Sequence, residues 1–193
     1  MIEFDNLTFE VYRFYEKMHE VARISCVSIG LPEGVFDDLS DDLTEDNDWS
    51  FVLKVVGLFE VCLAKLIIKE IGSELIYDNI VSLNLGGKSG KISLCKNLKL
   101  LNGERIKFLE ALIVLRNYYA HDILNVGKTV FDYLEELKVN ERRSWIDRIC
   151  SINEVRKGLP SLGNEEKKRY IRNIIFCESV MLLNDIGKRM TNN

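Results

Sequence analysis

Apolar residues recur along this chain at intervals of three and four, and almost nowhere in strict alternation. A stripe of that period covers one side of an α-helix, whereas a half-buried strand needs a period of two. Proline, the strongest helix breaker, interrupts the pattern only at Pro32 and Pro160. The pattern therefore specifies an all-α fold. With 193 residues, 47% of them apolar, the chain can bury one core of ordinary size. A single-domain helical bundle of six to eight helices is expected over residues 1–193, with no repeat and no linker long enough to split it.

The stop signals set the boundaries. Phe9, Tyr12, Tyr15, Met18, Ala22 and Ser25 would fill one face of a first helix over residues 8–29, ended by Gly30-Leu31-Pro32. Residues 37–48, DDLSDDLTEDND, carry seven carboxylates. A calcium loop of EF-hand type needs glycine at its sixth position and glutamate at its twelfth, where this stretch has Asp42 and Asp48. An acidic linker ending in a helix cap at Asn47 or Asp48 is the expectation. A helix over 49–71 follows, with Gly72 able to end it, then short helices at 74–83 and from Gly90 to Leu101. Asn102-Gly103 precedes a helix from Glu104 to about Leu124, and a short segment spans 129–138. The C-terminal helices, within 140–190, run from Asn140 to Lys157 and from Asn164 to Met190.

The net charge of −4 is unevenly spread. Residues 1–50 hold 13 acids and 3 bases, whereas residues 138–193 hold 7 acids and 12 bases. The acidic end repels the phosphate backbone, and no helix-turn-helix signal is present, so direct DNA binding is not expected. The basic run Lys167-Lys168-Arg169, with Arg172, is expected on a solvated helix face, as is His19 among Glu16, Lys17 and Glu20. The stretch 51–71 contains Lys54, Glu60, Lys65 and Lys69, which makes it a poor membrane span, and the N-terminus has no signal-peptide pattern. Five well-separated cysteines form no CxxC, so neither a disulfide framework nor a zinc site is expected. A reducing, cytoplasmic setting without cofactor or bound metal follows as an expectation.

Two residues break the apolar pattern. Glu60 falls among Val56, Ala64 and Ile67 on its helix, opposite Lys54, Lys65 and Lys69. Arg116 falls within an arc of Leu109, Leu112, Ile113 and Ala120. A charge in such an arc needs a partner, and a charge-assisted hydrogen bond from Arg116 to Glu60 would provide one. The stretch GGKSGKIS, residues 86–93, has three residues between its outer glycines and Ile92 after the lysine, so it does not match a phosphate-binding loop.

Arg116 opens the string RNYYAH, which ends at His121, one of only two histidines. A guanidinium grips phosphate in a fork, and an imidazole moves protons near neutral pH. The pair suits RNA cleavage, with His121 handling the 2′-hydroxyl or leaving oxygen and Arg116 steadying charge at phosphorus. The two residues point about 140° apart on one helix, so a composite site across a homodimer two-fold is expected. Tyr118 and Tyr119 offer rings that can stack on bases, although Tyr119 has the spacing of a core residue.

Arginine, a polar asparagine, three residues and histidine, late in a long helix, resemble the R-x4–6-H signature of the HEPN superfamily. The wider stretch KISLCKNLKLLNGERIKFLEALIVLRNYYAHD is most similar to the MtlR-like (mannitol operon repressor) branch, with the likeness covering residues 49–125. The resemblance implies an all-helical fold and a metal-independent endoribonuclease of toxin–antitoxin or phage-defence type. It makes Arg116 and His121 the catalytic pair and Asn117 a helper, while Glu60 is added in support from its place on the helix wheel alone. It equally admits a non-catalytic regulator acting through a protein antitoxin or another protein partner. Toxin-type members often carry tyrosine two residues after the histidine, and this chain has Ile123 there.

Overall fold

A computed structural model describes residues 3–32, 34–37, 47–159 and 162–191, with backbone alone at 3–13, 15 and 154. The described residues are helical and contain no strand. The principal helices are α1 (Glu3–Ile29), α2 (Asp48–Ile71), α3 (Tyr77–Ser82), α4 (Lys91–Asn97), α5 (Gly103–His121), α6 (Val130–Glu136), α7 (Val139–Ile149), α8 (Asn153–Gly158) and α9 (Asn164–Thr191). Single 3-10 turns lie at Glu74–Ile76 and Ile123–Asn125. No helix among the described residues is long and apolar enough to cross a membrane.

The most extensive packing joins α1 to α9. Met18, Ala22 and Ser25 of α1 face inward as the spacing predicts, while the side chains of Phe9, Tyr12 and Tyr15 lie outside the described residues. A Cβ added to Gly187 would stand 3.2 Å from the Ser25 Cα, so small residues on both helices permit the close approach. His19 is not on a solvated face: its ring lies 5.7 Å from that of Phe36 and 5.5 Å from that of Phe176. Its charged sequence neighbours hid this, because they point elsewhere on the same helix.

Helix α2 runs in the same direction as α9. At its start, buried Asp48 pairs with Arg172 at 3.0 Å and accepts the Val130 backbone N–H at 2.6 Å. At its end, Lys69 donates to the Arg189 and Met190 carbonyls at 2.7 and 2.8 Å, satisfying acceptors left over at the end of α9. Arg172 is thus a buried helix-to-helix tie and not part of a solvated basic face, since its guanidinium also lies over the Phe51 ring. Asn47 caps α2 through the Ser50 N–H, at 3.2 Å, and Gly72 ends it with φ 69°. Most of the acidic stretch 37–48 lies outside the described residues.

Helix α5 lies antiparallel to α2 and α9 and carries much of the core: Phe108, Leu109, Leu112, Leu115 and Tyr119 are buried. Asn102 caps it by accepting from the Arg105 N–H at 2.9 Å. It ends at His121, earlier than Leu124, because Asp122 takes the Leu124 N–H and Asn125 Nδ2 donates to the Tyr118 carbonyl at 2.8 Å. The helix expected from Asn140 to Lys157 is two helices, α7 and α8, which carries the tally above six to eight. The break is caused by a contact from another helix. Glu178 of α9 accepts both the backbone N–H and the hydroxyl of Ser151, each at 2.6 Å, so that N–H cannot continue a helical ladder.

The four buried cysteines and half-buried Cys177 are free, and burial pushes the thiols of Cys26 and Cys177 up to about 11 and that of Cys95 to about 12. They remain protonated at neutral pH and serve as small apolar side chains.

Glu178 also receives the Arg105 guanidinium at 2.7 Å, so one carboxylate ties α5, α9 and the α7–α8 junction. Glu178→Ala should lower the unfolding free energy by about 3–5 kcal/mol in urea melts, because Arg105 and Ser151 lose a buried partner. Glu178→Leu with Arg105→Met should recover most of that loss.

Candidate functional site

Arg116 stands on α5 facing a cleft of about 260 Å³ between α2, α5 and the loop that joins α3 to α4. Its walls include Glu60 from α2, Asn84, Gly86 and Gly87 from the loop, and Ile113, Arg116 and Asn117 from α5. Arg116, Asn117 and Glu60 are each half-buried, reachable from solvent but fixed by packing on one side. Leu109 and Leu112 of the expected apolar arc are core residues, whereas Ala120 is exposed, which places Arg116 at the edge of the core instead of inside it.

The loop owes its shape to its glycines. The Lys91 and Ile92 N–H groups donate back to the Asn84 and Leu85 carbonyls, at 2.9 and 3.0 Å, closing residues 84–92 on themselves. A Cβ at Gly90 would lie 2.2 Å from the Gly86 carbonyl oxygen, an impossible contact with backbone. Gly87 sits at φ 89° with open space around its missing Cβ. Lys91 lies buried beneath this loop and donates to the Val81 carbonyl at 2.9 Å and to the Leu83 carbonyl. Burial lowers its pKa, and the nearby Glu60 charge opposes that shift. Lys91 of GGKSGKIS is therefore a clamp on the end of α3, in keeping with the poor match to a phosphate-binding pattern.

The cleft brings together three of the four expected site residues, Arg116, Asn117 and Glu60. Arg116 and Glu60 share it without a hydrogen bond or ion pair between them among the described residues. The hydrogen bond of Arg116 goes instead to Asn117 Oδ1, at 3.2 Å. A guanidinium has five N–H donors, and most of those on Arg116 are unmatched by protein. Glu60 directs its field at Lys91, which a helix wheel of α2 alone does not reveal.

His121 does not line the cleft. It is the last residue of α5 and is exposed. Ile123 and Leu124 directly beyond it are 82% and 77% exposed, and Val114, two turns back on the same face of α5, is 42% exposed. Tyr119 is core, as its spacing predicts, with its hydroxyl donating to the Lys128 carbonyl at 3.1 Å. Tyr118 is held by Glu136, which accepts its hydroxyl at 3.0 Å and also pairs with Lys128 at 2.6 Å. Neither ring lines the cleft. Sequence reading missed Asn84, an amide on the cleft wall whose only signal was its place just before Gly86-Gly87. No group of three or more His, Cys, Asp or Glu that could hold a metal ion occurs among the described residues.

Gly90→Ala should cost about 2–4 kcal/mol of stability, since the loop backbone must move. Gly87→Ala should cost only about 1 kcal/mol, the penalty of a left-handed backbone with a Cβ. Denaturant melts of both variants check the difference. Comparisons with protein-family models, with curated proteins and with solved structures find no match to this chain.

Proposed function

We propose that this chain is a metal-independent endoribonuclease of HEPN type, acting in stress response or phage defence, with a working site assembled from two copies. The observation that carries the reading is the state of Arg116. A half-buried guanidinium that merely pinned two helices would be spent on Glu60; this one bonds only to Asn117 and turns its remaining donors to a solvent-reached cleft. Forked donors in a partly desolvated cleft suit a phosphodiester, whose charge grows at the non-bridging oxygens as the 2′-hydroxyl attacks. Asn117 orients the fork, and the Glu60 carboxylate opposes net positive charge without neutralising Arg116 by contact.

The imidazole of His121 lies outside its own protomer's cleft. In a two-fold pair formed through the end of α5, the imidazole of one copy would reach the cleft of the other. Ile123, Leu124 and Val114 supply exposed apolar surface for that contact, which solvent otherwise covers at a cost. His121 then takes the 2′-hydroxyl proton or returns one to the departing 5′-oxygen.

A second reading rests on the same placement. Without a mate, one protomer has an anion-holding cleft and no general base in it, which describes an MtlR-like regulator acting through protein contacts.

The deciding experiment expresses wild type, His121→Ala and Arg116→Ala and follows growth arrest and RNA cleavage in EDTA. The nuclease reading expects cleavage by wild type and a loss of about 100-fold or more in each variant, the scale of a lost acid–base or oxyanion group. Mixing the two inactive variants should restore part of the activity, because a mixed dimer regains one intact composite site. Cleavage unaffected by His121→Ala, or no cleavage by wild type, sinks the nuclease and leaves the regulator.

A further inference from the structure

A second cleft, of about 430 Å³, lies directly beside the first, and both share Gly86, Gly87 and Ile113 in their walls. Its other walls carry Lys88, Lys96, Ser93 and Glu110 above an apolar floor of Ile92 and Ile113. Lys88, Lys96 and Glu110 are exposed, and no hydrogen bond or ion pair ties either lysine to a protein partner. Gly86, Gly87 and Ile113 form the ridge common to the two hollows. The two glycines add no side chain to it, and the Gly86 backbone is pressed against Ile113, where a Cβ would come within 2.9 Å of the Ile113 Cδ1.

We infer that the two clefts are consecutive subsites for a single strand of RNA, with one phosphate held at Arg116 and the neighbouring nucleotide held between Lys88, Lys96 and Glu110. This deepens the nuclease reading and rests on it. The chemistry of the second cleft matches one nucleotide. Two ammonium groups meet a phosphate as point charges, and the Ile92–Ile113 floor accepts a base face. Glu110 and Ser93 accept from ribose hydroxyls or from an exocyclic amine. Glu110 also repels phosphate, which keeps the phosphate on the lysine side and sets the direction of the strand. A path across this glycine ridge suits an unpaired strand, because a duplex is too wide to follow it.

The test measures binding of a fluorescent RNA octanucleotide to the full chain carrying His121→Ala, which blocks cleavage, across a series of salt concentrations. Each phosphate contact to a single strand contributes about 0.7 to the slope of log affinity against log salt. Lys88→Ala with Lys96→Ala, which together hold one phosphate, should lower that slope by about 0.7, and adding Arg116→Ala should lower it by about 0.7 more. Both lysines are exposed, so thermal melts of the variants should match the parent. A dinucleotide, too short to span both hollows, should show a smaller dependence on the lysines than the octamer. An unchanged slope in the lysine variant, with binding still weakened by Arg116→Ala, overturns the second subsite and leaves the nuclease reading standing. A slope that falls with the lysines but not with Arg116 overturns the continuous path. Absence of octamer binding by the parent removes both readings, whereas binding that depends on all three cations in a protein that never cleaves RNA keeps the path and removes the nuclease.

Discussion

A single buried carboxylate, that of Glu178, holds the start of α5, the helix that carries Arg116. It joins Arg105 at the start of α5 to Ser151 between α7 and α8, and Arg105 reaches on to Asp185 at 2.7 Å. The first turn of α5 is thereby anchored to α9. Its far end is anchored by Tyr119, Asn125 and the Tyr118–Glu136 contact. Between these two ties the helix is straight scaffold, and Arg116 is presented at a constant height against α2. Buried ionic ties are expensive to desolvate and contribute little net stability. What they contribute here is uniqueness, because α5 cannot slide along α9 without stranding a charge.

The same logic recurs at the start of α2, where Asp48 meets Arg172 and the Val130 N–H. These two polar ties, at Arg172 and Glu178 of α9, border an apolar middle zone, with Trp145, Phe59 and Phe108 among its fully buried side chains. The cleft opens at the margin of that middle zone. It needs the glycine loop to stand off from α5, and buried Lys91 ties the loop to the end of α3 through the Val81 and Leu83 carbonyls. The loop is therefore a built wall, shaped by backbone contacts that only glycine at position 90 allows.

The separation of Arg116 and His121 follows from helix geometry, since residues five apart differ by about 140° in direction. Five residues along an α-helix cannot point to one small ligand, and the structure shows His121 exposed outside the cleft that Arg116 lines. Exposed apolar residues at Ile123 and Leu124 follow the histidine immediately. The cleft of this chain therefore holds a guanidinium with spare donors and no imidazole.

Much of the helical layout was legible from local rules. Apolar spacing, Gly72 at a left-handed helix end and the cap at Asn47 all act within a few residues, so the chain order of the elements followed from the sequence alone. The oddity of Glu60 and Arg116 was legible for the same reason, since each violates its own helix's pattern. Contacts across the fold were not legible. Glu178 broke the helix expected across Ser151, Phe36 and Phe176 enclosed His19, and Asp48 drew Arg172 out of a basic run; in each case the deciding partner lies far away in sequence. Asn84 became a cleft wall only because the loop folded back onto α5. Sequence determined which segments are helices and which residues are out of place, because hydrogen bonds and burial within one helix are local. Only the tertiary structure decided that Arg116 faces Asn117 in an open cleft instead of pairing with Glu60, because that outcome depends on the distance between two helices, which no local pattern encodes.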